Sequence, residues 1–179
     1  MAVRHRRRKD RPPLDEQALE QVALGYAGRY ATSRARLAAY LRRKLAERGW
    51  EGAAEPPIDR LIERMAALGY VDDRAFATAR AAALGRRGDG ERRVFDMLRG
   101  AGIDEEDSAE AREEARRCAW QAAVRFAERR SIGPFAAASP DRKGREKALA
   151  ALLRAGHPPE LARRLACAPP GEIPDADSG

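Results

Sequence analysis

The chain has 179 residues, of which 44% are hydrophobic but only 6% aromatic, and 35 Lys+Arg against 28 Asp+Glu give a formal net charge of +7. So few large apolar side chains argue against one thick core. Good helix formers dominate while alternating runs of Val, Ile and Thr are missing, which excludes a sheet-based fold and predicts an all-α protein.

Residues 1–13 hold Arg4, Arg6, Arg7, Arg8, Lys9 and Arg11 with almost nothing apolar and end in Pro12-Pro13, the composition of a disordered basic arm. A first helix is predicted from about Asp15 to Ala31, with Leu19, Val22, Ala23 and Tyr26 on one face. Ser33 fits the N-cap of a second helix, Leu37, Leu41 and Leu45 its apolar stripe and Gly49 its stop. After Glu55-Pro56-Pro57 a third helix spans Ile58 to Leu68 with Gly69 as its stop, and Asp72 is placed to cap a fourth.

Further on, helices are predicted over about Ala75 to Arg86, Glu91 to Gly100 and from near Asp104, then over Ala115 to Arg130, Arg142 to Ala155 and Pro159 to Ala166. Gly85, Gly88 and Gly90 mark a turn in "LGRRGDGERR", and "SIGPFAAASPD" reads as a long loop. Ala168 to Gly179 holds three prolines and three acids and is expected to be a disordered tail.

The helix stops repeat. Gly49, Gly102 and Gly156 recur at spacings of 53 and 54 residues, each behind a leucine (Leu45, Leu98, Leu153) and ahead of a large residue (Trp50, Ile103, His157). That period predicts three tandem three-helix repeats, residues 14–71, 72–114 and 115–167, each with a small core that must pack against its neighbour.

Chemistry is sparse. His5 and His157 are the only histidines, Cys118 and Cys167 fit no metal or redox spacing, and no zinc-protease, nucleophile-elbow or phosphate-loop motif occurs, so neither an enzyme nor a bound cofactor is expected. The densest acidic group, Asp104, Glu105, Glu106, Asp107, Glu110, Glu113 and Glu114, lies at a helix start, where negative charge complements the dipole. No stretch is apolar enough to span a bilayer, and a cytoplasmic location is expected. A sequence pI near 10 favours contact with nucleic acid or an acidic protein surface, although any solvated basic surface gives the same balance. The cations recur by repeat: Arg34, Arg42, Arg43 and Lys44; then Arg86, Arg87, Arg92 and Arg93; then Arg142, Lys143 and Arg145. If equivalent helices of an array line up, these eleven form one positive, partner-binding strip.

Ser33-Arg34, Leu37, Arg43-Lys44-Leu45, Arg48-Gly49-Trp50, Leu68-Gly69-Tyr70-Val71-Asp72-Asp73 and Phe76-Ala77 together resemble the first repeat of the RecX family, bacterial regulators of the RecA recombinase. "RRGDGERRVFDMLRGAGID" is similar to the family's second-repeat turn and stop, and the resemblance extends over about Ala18 to Leu165. Arg36 stands where the family often has a glutamate that closes a capping box, and His157 where an aromatic is usual. The resemblance implies an elongated, curved array of three repeats. It implies a monomer bound in the groove of the RecA–DNA filament, restraining ATP hydrolysis, strand exchange and co-protease activity in recombination, DNA repair and the SOS response. Two other readings stay open: a helical protein binding single- or double-stranded DNA without sequence preference and without RecA, and a carboxylate–metal nuclease using Asp72 or Asp104.

Overall fold

The computed structural model describes residues 11–176, so most of the expected basic arm and the last three residues of the expected tail lie outside the described residues. The described part is helical: α1 Glu16–Ala27, α2 Arg34–Arg48, α3 Ile58–Ala67, α4 Asp73–Arg86, α5 Glu91–Gly100, α6 Glu105–Arg117, α7 Ala119–Arg129, α8 Arg142–Arg154 and α9 Pro159–Cys167. The chain divides into two compact units between Asp72 and Asp73.

The first unit holds α1 to α3. Asp15 caps α1, accepting from the Ala18 N–H at 2.7 Å, and the Ser33 hydroxyl accepts from the Arg36 N–H at 3.2 Å to cap α2. Leu37 and Leu41 are fully buried against Leu19, Ala23 and Met65, with Leu61 and Ile62 nearly so. Side-chain caps of this kind contribute about 1 kcal/mol each. Pro12 and Leu14, beside the edge of the expected arm, are held. The Arg48 guanidinium donates twice to the Pro12 carbonyl, at 3.0 and 2.8 Å, and Leu14 is fully buried in an isolated parallel bridge to Trp50.

The bridge changes one helix stop. At Gly102 and Gly156 the two N–H groups after the helix fold back on carbonyls three and five residues earlier, Ile103 to Leu98 at 3.1 Å and His157 to Leu152 at 3.2 Å, which requires the left-handed φ of 70° and 90° seen there. Gly49 has a φ of 82° but a ψ of 175°, and makes the single bond to Leu45 at 2.8 Å. There the chain leaves extended, because the Gly49 carbonyl accepts from the Leu14 N–H at 3.0 Å. Gly69 stops α3 in the way Gly102 and Gly156 do.

The second unit holds two small cores. Phe76, Ala77, Ala81, Val94, Leu98, Ile103 and Ala111 form one between α4, α5 and α6; Ala123, Phe126, Leu152, Ala162 and Leu165 anchor the other among α7, α8 and α9. α6 runs on to Arg117, past the expected repeat boundary at residue 115, because "EEARR" carries no breaker, and Cys118 alone joins it to α7. The expected long loop contains a short 3-10 turn, Gly133–Phe135, that buries Pro134 after the buried Ile132. The segment expected as a tail is described as far as Ala176. Ala168 is buried, the Gly171 N–H donates to the Pro134 carbonyl at 2.8 Å, and the Arg164 guanidinium donates to the carbonyls of Asp175 and Ala176. The groups that hold this proline-rich segment, the Pro134 carbonyl and the Arg164 guanidinium, lie outside it, which its composition does not reveal.

The two cores of this unit meet along a seam of backbone. The Gly90 N–H donates to the Ala155 carbonyl at 2.9 Å and the Arg92 N–H to the Gly156 carbonyl at 3.2 Å, so the free amides that start α5 meet the free carbonyls that end α8. A Cβ at Gly90 would lie 2.2 Å from the Gly156 carbonyl carbon, and one at Gly156 would lie 2.6 Å from the Arg93 nitrogen. His157, 3% exposed, places its Nε2 3.1 Å from the Gly88 carbonyl and its ring edge-on to Phe126. A carbonyl only accepts, so Nε2 carries the proton.

Gly90→Ala is expected to cost about 1–3 kcal/mol through overpacking, whereas Gly85→Ala, in α4 with nothing near its would-be Cβ, is expected to gain about 0.5–1 kcal/mol. Urea unfolding of both variants checks the opposite signs. Burial holds the His157 pKa below its ordinary 6.5, against the opposing pull of the Gly88 hydrogen bond and the Asp89 charge. Unfolding therefore takes up a proton in the range below 6.5, so the His157 contribution is whole above that pH and is lost as pH falls through and below it. Thermal melts from about pH 7.5 to about pH 5 should show a shallower pH dependence for His157→Phe than for the wild type.

Candidate functional site

The cations singled out in the sequence fall into several settings. In the first unit Arg34 and Arg42 stand on the α2 side of an open groove of about 680 Å³, floored by Ala35, Ala38, Ile62 and Ala66 and faced by Asp59 and Glu63 of α3. Arg42 reaches Asp59 at 3.6 Å. Arg43 and Lys44, one and two positions further round the helix, lie instead over the Tyr40 ring at 5.4 and 5.6 Å and pair with Glu47. These four side chains thus serve two faces of α2.

In the second unit Arg87 and Arg93 bracket the buried carboxylate of Asp89, at 3.4 and 3.3 Å. Asp89 lies between Gly88 and Gly90, so the seam draws it inward, and the two arginines compensate the burial of its charge. The Arg92 guanidinium donates to the Leu153 carbonyl at 3.3 Å, at the last turn of α8. Arg86 is exposed at the end of α4, on the rim of a cavity of about 190 Å³ whose walls include Ala81, Ala115, Cys118 and Ala122. Arg142, Lys143 and Arg145 are all in or next to the first turn of α8; Arg142 pairs with Glu146 at 2.9 Å and Arg145 donates to the Pro140 carbonyl at 3.1 Å. Along α8 the Arg92 contact and the Arg142 cluster are roughly 16 Å apart at 1.5 Å of rise per residue, near opposite ends of the helix.

Two of these groups sit at positive helix ends. α2 begins with Arg34 and Arg36 and α8 with Arg142 and Lys143, and neither first turn holds an acid. Cations at a helix start oppose the dipole, which lowers stability while concentrating positive potential toward an approaching anion. α6 shows the opposite arrangement, with Glu105, Glu106 and Asp107 in its first turn and Asp104 accepting from the Asp107 N–H at 2.8 Å. That is the helix-start role expected for the acidic cluster. Asp72 directly precedes α4. Among the described residues no group of three or more His, Cys, Asp or Glu is placed to hold a metal ion, and no helix is long and apolar enough to cross a membrane. Cys118 and Cys167 are free thiols, and the Cys118 thiol donates to Glu114.

One feature of this surface was missed in the sequence: Tyr26, Tyr30 and Tyr40 stand ring against ring beside Arg43 and Lys44. The spacing of Tyr26 and Tyr30, one helical turn apart, was the available signal.

No protein-family model matches the chain, and no curated protein matches it. Among solved structures, the crystal structure of RecX from Lactobacillus salivarius is similar, with a TM-score of 0.58 at 17% identity over 82% of this chain and 90% of that one. The fold is RecX-like. The all-helical class read from composition stands, in keeping with a RecX-like helical repeat fold.

In this RecX-like chain Lys143→Glu is expected to stabilise α8 by about 0.3–1 kcal/mol, since it replaces a cation by an anion at the second helical position. It should also weaken binding to any polyanion. Urea melts and heparin affinity on the same variant check the two opposite effects.

Proposed function

We propose that this protein is a RecX-type regulator that binds the RecA–DNA filament and restrains RecA's ATP hydrolysis, strand exchange and co-protease activity. The observation that carries the reading is the RecX-like fold over 82% of the chain. It coincides with the first-repeat pattern at Ser33-Arg34, Arg43-Lys44-Leu45 and Leu68-Gly69-Tyr70-Val71-Asp72-Asp73. On this reading the protein is a cytoplasmic monomer without a cofactor or a reaction of its own, acting by occupying a charged filament in recombination, DNA repair and the SOS response. The cations at the starts of α2 and α8 suit that role, because their stability cost finds a purpose in attracting phosphates or acidic side chains. Steering by such groups is strong at low salt and weak at high salt.

Adding the protein to RecA on single-stranded DNA with ATP should slow hydrolysis; unchanged hydrolysis at stoichiometric amounts would remove the reading. Reversing Arg42 and Arg43 to Glu, and separately Arg142 and Lys143, should each raise the concentration for half-inhibition about tenfold. Comparing the two double variants in one ATPase assay apportions the contact between the units.

A further inference from the structure

Three of the chain's four tyrosines form one run in the first unit. Tyr26 near the end of α1 stacks on Tyr40 of α2 with ring centroids 4.0 Å apart and planes at 17°, and Tyr30, one turn after Tyr26, leans on it at 5.3 Å and 51°. Tyr26 and Tyr40 are also partly buried against the core of α1 to α3, which fixes their ring planes. The two ends of the run differ. Arg43 and Lys44 cover Tyr40, whereas Tyr30 is 54% exposed, so the stack is capped by cations at one end and open at the other.

The surroundings are basic. Arg43 and Lys44, which pair with Glu47, lie over Tyr40 at one end of the run, and Arg29 is exposed next to Tyr30 at the other. Aromatic faces beside cations form the usual platform for single-stranded nucleic acid, whose unpaired bases stack while its phosphates meet Lys and Arg. A duplex buries its base faces and cannot use an open ring in this way.

We propose that the Tyr30–Tyr26–Tyr40 run is a stacking site for bases of single-stranded nucleic acid, with the incoming base laid on Tyr30 and the backbone drawn to Arg29. The site needs no RecA. It stands or falls separately from the regulatory reading, because it predicts direct binding by this protein alone.

The test uses the full chain and fluorescently labelled oligothymidine, a duplex of equal length and inorganic polyphosphate as a purely ionic competitor. Tyr30→Ala should weaken oligothymidine binding roughly 5- to 100-fold, the range for removing one stacking partner, and leave duplex affinity within about twofold. Tyr30→Phe and Tyr30→Trp should retain binding, which separates the π-face from the hydroxyl. Because Tyr30 is the exposed ring of the three, its removal should leave the thermal melt unchanged, and a matched melt confirms that the fold persists. Arg29→Ala should reduce oligothymidine and duplex binding together and lower the salt slope by about one. Wild-type oligothymidine affinity in Tyr30→Ala would overturn the proposal. So would equal losses for oligothymidine, duplex and polyphosphate. Loss of RecA inhibition with intact oligothymidine binding would overturn it in favour of a protein contact at Tyr30.

Discussion

The second unit depends on one direct contact between backbones. The amides that open α5 and the carbonyls that finish α8 are groups that every helix leaves without internal partners, and here two of the one pair with two of the other. No side chain fits between them, so Gly90 and Gly156 are required by space as well as by conformation. Two otherwise odd residues follow from that closeness. Asp89 is pulled inside with its flanking glycines and takes Arg87 and Arg93 as counter-charges. His157 presents a flat ring to Phe126 and a donor to the Gly88 carbonyl, which a phenyl group lacks.

Much of this was legible beforehand, for a definite reason. Helix stops are local, so Gly102 and Gly156 announce their bonds through a left-handed residue and the apolar or aromatic group after it, and the Asp15 and Ser33 caps are equally local. What stayed hidden is whatever depends on a distant strip of chain. Gly49 has the same sequence surroundings as the other stops, yet Leu14, far away in sequence, pairs with its carbonyl and pulls the chain straight. Likewise Ala168 to Ala176 reads as a tail by its prolines, but Pro134 and Arg164 supply its partners.

The candidate site shows the same division. Each cluster of cations was visible as a cluster, whereas its direction was not. Arg87 and Arg93 face a buried carboxylate, Arg42 reaches across to Asp59, and Arg43 and Lys44 lie over a tyrosine ring. Counting charges therefore overstates how much of the positive surface is on offer to a partner. The groups at the starts of α2 and α8 are different, since the dipole behind them adds to their field.

A last consequence concerns the alanines between α4 and α6. Ala77, Ala81 and Ala111 are buried there, and a methyl group has no rotamers to freeze, so these helices come together with little loss of side-chain freedom. The same thinness leaves no slack. A bulky aliphatic group at any of the three would wedge the two rods apart along their length, and through α5 and α7 the displacement would reach both small cores. Drift toward larger apolar residues, harmless in a deep globular interior, is the change this architecture tolerates least.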